Sequence, residues 1–110
     1  GFSQGCLMTL ETGLRYPHRF AGLVGLSGHL HDPRQLLLES PPLATQQRLL
    51  VTHGTHDPLI PCAAAREQIK VLQGAGLQIE WHELAKAHTI DGERELALIR
   101  KFVRAGFAEA

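Results

Sequence analysis

The sequence predicts an α/β fold in which three parallel strands form a sheet with helices on both of its faces. Short apolar segments typical of buried strands alternate along the chain with longer segments of helical periodicity. The strand candidates are too far apart for hairpins, and strands joined by helical crossovers form parallel sheets. No repeat or linker interrupts the 110 residues, so 1–110 is interpreted as one domain or as one half of a larger one.

The first half of the chain begins with a predicted helix over 4–15. Its leucines recur at helical spacing, and Pro17 ends the helix because proline disfavours helical geometry in the residue before it. The segment 20–26 (FAGLVGL) is short and apolar, which is typical of a buried parallel strand. Residues 29–44 contain Asp-Pro and Pro-Pro pairs and are interpreted as a loop with one or two helical turns at most.

The second half of the chain contains two more strands and two more helices. Residues 48–53 (RLLVTH) form a second apolar segment that ends at a glycine. The helix over 61–72 begins at a proline and ends before two glycines. Residues 77–84 alternate apolar and polar side chains, which indicates a third strand. The helix over 91–105 carries an apolar stripe, and Glu95 with two other acidic residues lies near its positive amino end.

Composition and charge exclude several classes of partner. The 11 Lys and Arg residues balance 11 Asp and Glu residues, so no net field attracts nucleic acid or anionic lipid. The apolar runs are too short to span a bilayer, and no leader is apparent, although a segment before Gly1 could have carried one. Cys6 and Cys62 are isolated, which favours reduced thiols and a cytoplasmic location.

Three predicted loops bring together side chains with catalytic chemistry. In open parallel sheets, functional side chains gather beyond the carboxyl ends of the strands. The loops at this edge contain the sequences GFSQG, HGTHDP and KAHT. They carry Ser3, Asp57 and His88 in that order, which is the chain order of the nucleophile, acid and base in the α/β-hydrolase triad.

Each of these residue types has a chemical role in such a triad. A serine hydroxyl is a weak nucleophile until an imidazole takes its proton, so His88 is the candidate base. Asp57 would accept a hydrogen bond from the other ring nitrogen and stabilise the imidazolium. The glycines on either side of Ser3 suit a sharp elbow that excludes side chains, and the Gln4 N–H would donate to the oxyanion of the reaction intermediate.

Each residue also has a purely structural interpretation. GxSxG alone is a weak pattern, and Asp57 before a proline is typical of a turn or a helix cap. An isolated His88 is typical of a loop. The catalytic interpretation depends on the joint occurrence of the three residues at strand ends in the right order.

No metal or other cofactor is expected. His29 and His31 form an HxH pair, and His53 lies close to His56, but no set of cysteines or carboxylates completes a zinc site. Cys6 follows the serine by one helical turn and is interpreted as a packing residue rather than as the nucleophile. The tryptophan and the four phenylalanines are interpreted as core residues.

Three long segments carry a resemblance to a known family. The segments GFSQGCLMTLETGLRYPHRFAGLVGLSGHL, LLVTHGTHDPLIP and GLQIEWHELAKAHTI resemble the carboxylesterase/phospholipase family of α/β-hydrolases, which includes the acyl-protein thioesterases. The resemblance implies the carboxyl-terminal half of that fold, with Ser3 as nucleophile, Asp57 as acid, His88 as base and the Gln4 N–H as one oxyanion donor. It also implies hydrolysis of short to medium acyl esters or thioesters, lysophospholipids included, without a cofactor.

The sequence departs from the family pattern in three respects. Cys6 stands where a small residue is common, and Ala87 stands where glycine is common. If that second position requires a positive φ, alanine would cost about 1 kcal/mol. Family members are about twice as long, and we expect the strand leading into the elbow and the second oxyanion N–H to lie outside these residues.

The missing half leads to a second functional hypothesis. A chain that begins at Gly1 would have an open sheet edge, which is prone to pair with another chain. Such a half would be a non-catalytic module that self-associates as a homo-oligomer or binds a partner. Because half of the oxyanion hole and the strand before the elbow are expected to lie outside it, we expect the isolated 110-residue chain to show little turnover of an ester substrate.

Overall fold

A three-stranded parallel sheet lies at the centre of the structure, a computed structural model that describes residues 1–109. Its strands stand in the order β1-β2-β3. In chain order, the elements are α1 (Gln4–Arg15), β1 (Leu23–Leu26), α2 (Pro33–Glu39), a 3-10 helix (Pro42–Gln46), β2 (Arg48–Gly54), α3 (Cys62–Gly74), β3 (Gln78–Leu84) and α4 (Arg94–Glu109). The predicted class, with parallel strands and helical crossovers, is confirmed.

The register of the sheet places the carboxyl ends of the strands side by side. Leu26 at the end of β1 pairs with Thr52 of β2, and Gly54 at the end of β2 pairs with Leu84 of β3. The loops that follow these strands therefore leave the sheet at one edge, as the sequence predicts.

The first residues of the chain also lie against the sheet. Phe2 forms a parallel bridge with Leu26 of β1, and the Leu26 N–H donates to the carbonyl oxygen of Gly1 over 2.9 Å. The Ser3 N–H donates in turn to the Leu26 carbonyl oxygen over 2.8 Å. We expected the strand that leads into the elbow to lie outside these residues. This expectation is wrong for Gly1 and Phe2, which pair with β1 directly before Ser3.

Helices cover both faces of the sheet. The side chains of Leu49 and Val51 in β2 face a core that they share with α1, α2 and α3. Side chains alternate along a strand, so Thr52 points to the opposite face, where its hydroxyl contacts Glu95 of α4. The core cluster consists of Cys6, Leu10, Leu14, Leu23, Leu30, Leu36, Ala44, Leu49, Val51, Ile69, Leu72 and Leu77.

The segment 29–44 is more regular than predicted. It contains α2, which at seven residues matches the predicted one or two helical turns, and also most of a 3-10 helix, and both begin at prolines. A proline is compatible with the first helical position, because the N–H that it lacks has no partner in the helix there. The Asp32 side chain caps α2 by accepting from the Arg34 and Gln35 N–H groups, over 3.0 and 3.2 Å. The fully buried Leu36 fixes α2 to the core.

Two element boundaries differ from the predictions for identifiable reasons. The strand predicted over 20–26 begins only at Leu23, because the side chain of the buried Gln47 bonds both the N–H and the carbonyl oxygen of Phe20. The last helix begins at Arg94 rather than at 91, and the Asp91 carboxylate accepts from the Arg94 N–H in front of it.

The prediction for the aromatic residues is wrong for most phenylalanines. Phe102 is buried, whereas Phe2, Phe20 and Phe107 are 37, 41 and 72% exposed. Trp81 is partly buried against the core. Among the helices of the described residues, none has the length and apolar character needed to cross a membrane.

Candidate active site

The structure brings Ser3, Asp57 and His88 together at the carboxyl edge of the sheet. His88 Nε2 lies 2.9 Å from Ser3 Oγ, and His88 Nδ1 lies 2.7 Å from Asp57 Oδ2. The Asp57 carboxylate is fully buried, and the His88 side chain is 14% exposed. The imidazole therefore stands between a hydroxyl that it can deprotonate and a carboxylate that can stabilise the resulting cation.

Ser3 occupies a strained turn between the sheet and α1. Its backbone has φ 57° and ψ −117°, a region in which residues other than glycine are rare. Hydrogen bonds maintain this geometry, since the Ser3 carbonyl oxygen accepts from the N–H groups of Cys6 and Leu7 over 3.0 and 3.2 Å. The turn presents the hydroxyl towards His88 at the amino end of the helix.

The glycines beside Ser3 differ in their importance. A Cβ on Gly1 would lie 2.3 Å from the Gly5 carbonyl oxygen, so this position excludes a side chain. A Cβ on Gly5 would meet no atom within 4 Å outside its own helix in the described structure. The steric reason that we predicted for both glycines applies to Gly1 and is wrong for Gly5.

Asp57 has both of the roles that the sequence left open. Its Oδ1 accepts from the backbone N–H groups of Leu59 and Ile60, over 2.8 and 2.9 Å, as a turn aspartate does. Its Oδ2 faces His88. Burial alone would raise the pKa of Asp57, but the hydrogen bonds from Ile60, His88 and Leu59 outweigh burial, and the pKa lies below its ordinary value. The carboxylate is thus ionised at neutral pH.

His53, at the end of β2, lies behind the aspartate. The fully buried ring stacks on Trp81, and its Nε2 donates to the Ile60 carbonyl oxygen over 2.7 Å. The same nitrogen lies 3.5 Å from Asp57 Oδ2, while Nδ1 has no hydrogen-bond partner among the described residues. From the sequence, His53 is only a candidate metal ligand. Its contacts show that it supports the loop on which Asp57 lies.

A buried ion pair, which the sequence analysis missed, lies beneath the His88 loop. Lys86 Nζ is 2.9 Å from both carboxylate oxygens of Glu95, and it also donates to Ser27 Oγ over 2.8 Å and to the Thr89 carbonyl oxygen over 2.7 Å. We had interpreted Glu95 as a residue that favours the positive end of the helix, but its side chain is fully buried. A signal was present, because Glu95 stands at helical spacing from Leu98 and Phe102 in the apolar stripe.

Gln4 is the first residue of α1. Helical geometry leaves the N–H groups of the first turn without partners inside the helix, and the helix dipole places partial positive charge at the same end. The Gln4 N–H therefore suits an oxyanion that forms beside Ser3.

The two residues that depart from the family pattern, Cys6 and Ala87, are accommodated without strain at the site. Cys6 is buried, and burial raises the pKa of its thiol to about 11, which keeps it protonated and unreactive. Within the described part of the chain, positive φ angles outside glycine occur at Ser3 and Ser27 alone. Ala87 therefore has an ordinary backbone conformation, and the cost that we considered for it does not arise.

An apolar depression of about 240 Å³ adjoins the aspartate loop. Its lining consists of His29, Leu59, Ile60, Pro61, Ala64 and Gln68. Leu59, two residues after Asp57, is 71% exposed. No group of three or more His, Cys, Asp or Glu side chains within the described structure is arranged to hold a metal ion.

Comparisons with known proteins match nearly the whole chain. Residues 1–106 match the model of the phospholipase/carboxylesterase family. The chain is 32% identical over 103 residues to acyl-protein thioesterase 1 of Schizosaccharomyces pombe, and this match covers 91% of this chain and 46% of that protein. It is 29% identical over 105 residues to carboxylesterase SOBER1 of Arabidopsis thaliana.

Solved structures agree with this result. The crystal structure of Arabidopsis thaliana SOBER1 has a TM-score of 0.89 at 28% identity, covering 97% of this chain and 51% of that one. The crystal structure of acyl-protein thioesterase 2 of Zea mays has a TM-score of 0.83 at 25% identity, covering 96% of this chain and 54% of that one. The chain thus spans about half the length of these relatives and shares the α/β-hydrolase fold with them. It belongs to the phospholipase/carboxylesterase family.

Proposed function

We propose that this chain carries the catalytic triad of a serine hydrolase that cleaves carboxylic esters or thioesters through an acyl-enzyme. The observation that carries the proposal is the position of His88, whose two ring nitrogens lie 2.9 Å from Ser3 Oγ and 2.7 Å from Asp57 Oδ2. A structural histidine would not need a hydroxyl in a strained elbow on one side and an ionised, buried carboxylate on the other.

In the acylation step, His88 Nε2 takes the proton of Ser3 as Oγ attacks the substrate carbonyl carbon. The electron pair of the carbonyl π bond moves to oxygen, and the Gln4 N–H donates to that oxyanion. Asp57 accepts from Nδ1–H and stabilises the imidazolium. When the intermediate collapses, the alkoxide or thiolate leaves with the proton from His88, and the acyl group stays on Ser3.

Deacylation repeats these steps with water as the nucleophile. His88 takes a proton from the water while its oxygen attacks the acyl carbon, and a second oxyanion forms. Collapse breaks the bond to Ser3 Oγ, which takes the proton back from His88. The products are a carboxylic acid and the free serine, so the reaction balances without a cofactor.

We include short to medium acyl chains in the proposed substrate class, as the family resemblance implies, and an apolar surface near the aspartate supports this choice. Leu59 and Ile60 follow Asp57 directly and line the apolar depression, which would take up methylene groups. The relatives are named as acyl-protein thioesterases and a carboxylesterase, and the family description includes phospholipases, so we include thioesters and lysophospholipids in the proposed class.

A fluorophosphonate probe tests this function, because it forms a covalent bond only with an activated serine. In the protein that contains this chain, we expect the probe to label Ser3, as mapped by mass spectrometry, and we expect Ser3→Ala to abolish both labelling and ester hydrolysis. Ser40→Ala is the matched control, since the Ser40 hydroxyl bonds the Leu36 carbonyl oxygen on α2. Absence of label on Ser3 in folded protein would refute the proposal.

A further inference from the structure

We propose that Lys86 and Glu95 are positioning residues for the His88 base. Their buried ion pair connects the loop that carries His88 to the ends of β1 and β2, and this connection holds the imidazole between Ser3 and Asp57. The inference rests on the proposed function of the triad. It gives a function to the charges of Lys86 and Glu95, which take no direct part in the proposed reaction.

The first support is the burial of both charged groups. The Lys86 and Glu95 side chains are 3 and 0% exposed. Charges are rarely buried to this degree, since losing their hydration is costly and an apolar pair of similar volume often gives equal or greater stability. Packing alone therefore does not explain why an ammonium and a carboxylate occupy this place.

The second support is that the pair bonds the backbone around the base. Lys86 Nζ donates to the carbonyl oxygen of Thr89, the residue directly after His88. Glu95 Oε1 accepts from the Asp91 N–H over 2.9 Å. Lys86 itself lies two residues before His88, so the loop is fixed on both sides of the imidazole. An apolar pair would fill the space but would offer no partner to either backbone group.

The third support is the connection to the other two members of the triad. Lys86 Nζ donates to Ser27 Oγ, and Ser27 follows Leu26, whose carbonyl oxygen accepts from the Ser3 N–H. On the acid side, the His56 N–H donates to the Lys86 carbonyl oxygen over 3.1 Å, next to Asp57. Lys86 thus contacts His56, which precedes the acid, and Ser27, whose neighbour Leu26 bonds the N–H of the nucleophile.

The Glu95 carboxylate is bound to the central strand as well. The Thr52 hydroxyl, fully buried at the end of β2, donates to Glu95 Oε2. Each carboxylate oxygen therefore has a neutral donor in addition to Lys86, which is what a buried anion requires. The ion pair is thus bonded to the sheet through Thr52, and the loop that carries His88 is bonded to the ion pair.

The test compares three variants of the protein that contains this chain, namely Lys86→Met, Glu95→Gln and the apolar double variant Lys86→Met with Glu95→Leu. The measurements are kcat and KM for a p-nitrophenyl ester, the rate of fluorophosphonate labelling, the urea unfolding midpoint, and amide hydrogen exchange over 86–91. The matched controls are Lys70→Met and Glu67→Gln, which change the same groups in an exposed pair on α3.

We expect each single variant to lose both stability and activity, because it leaves one buried charge unpaired. The double variant decides between positioning and packing. We expect its unfolding midpoint to be higher than that of either single variant, because no buried charge is left unpaired, its kcat to fall about 100-fold with KM changed less than about threefold, and its exchange over 86–91 to become faster. We expect the two controls to match the parent in every measurement.

A stable double variant with parental kcat and parental exchange would refute the inference. If the double variant does not fold, Thr52→Val and Thr52→Ser replace it, since valine removes the donor to Glu95 at similar volume and serine retains it. We expect about a tenfold loss of kcat for valine and recovery for serine, whereas equal activities would refute the inference. If the parent protein fails to label at Ser3, the proposed function is wrong, and hydrogen exchange alone decides the inference.

Discussion

At the scale of single residues, Cys6 shows how the chain adapts to a side chain larger than usual next to the elbow. The thiol packs against the backbone of β1. A Cβ on Gly25 would lie 2.7 Å from the Cys6 sulfur, and a Cβ on Gly28 would lie 2.5 Å from the Cβ of Cys6. The two glycines provide the space that Cys6 occupies, so the departure from the family pattern has a local structural compensation.

This environment predicts the reactivity of the thiol. Burial raises the pKa of Cys6 to about 11, so at pH 8 almost none of it is the reactive thiolate. We expect iodoacetamide at pH 8 to leave Cys6 unmodified in the native protein and to modify it readily in urea, as measured by peptide mass spectrometry. Equal rates in the two conditions would contradict the burial of this side chain.

At the scale of elements, α2 shows that a short helix can depend on one cap. The helix Pro33–Glu39 has seven residues, and Asp32 satisfies two of its first N–H groups. Short helices have little stability of their own, so the cap and the burial of Leu36 determine whether α2 forms.

We expect Asp32→Ala to lower the free energy of unfolding by about 1 kcal/mol, because these two N–H groups lose their acceptor. Asp32→Asn is the control, since asparagine caps helices about as well and should cost much less. Urea unfolding followed by circular dichroism measures both. Equal losses for alanine and asparagine would show that the charge of Asp32, and not its capping geometry, stabilises the helix.

At the scale of elements, physical reasons explain which features could be predicted from the sequence and which could not. The proximity of Ser3, Asp57 and His88 could be predicted because Asp57 and His88 follow the strands β2 and β3, Ser3 lies in a GxSxG motif, and parallel topology brings strand ends together. The seven residues of α2 fit the one or two helical turns predicted for 29–44, whereas the 3-10 helix is not predicted, because its Pro42 stands at the first helical position, where a proline is compatible with a helix. The contact between Lys86 and Glu95 could not be predicted, because it depends on how α4 is rotated against β2, and only the misplaced charge in the stripe indicated it.

At the scale of the whole molecule, one side of the structure remains apolar. A groove of about 210 Å³ lies between β1 and α4, lined by Ala21, Gly22, Val24, Phe102, Val103 and Phe107. Phe107 is 72% exposed. Gly1 and Phe2 cover only the last part of β1, so Leu23 lies at an edge of the described sheet. An apolar groove beside an unpaired strand edge is a surface that favours association when this chain is studied alone.

We predict that the 110-residue chain alone self-associates at micromolar concentration through this side. We expect sedimentation velocity to show dimers or larger species, and we expect Phe107→Glu to shift the chain towards the monomer because it places a charge beside the groove. Leu38→Glu is the matched control, since Leu38 is 82% exposed on α2. A monodisperse monomer of the unmodified chain would contradict the prediction.

The distance along the chain between Ser3 and His88 has a consequence for synthesis. The two residues that share a hydrogen bond are separated by 85 positions, and Asp57 lies 31 positions before His88. On the ribosome, His88 follows Ser3 only after β3 has been made. If His88 is the base for Ser3, as proposed, the hydroxyl stays without it until β3 and the loop after it have been made, and reaction with an activity probe would report that this part of a newly made molecule has folded.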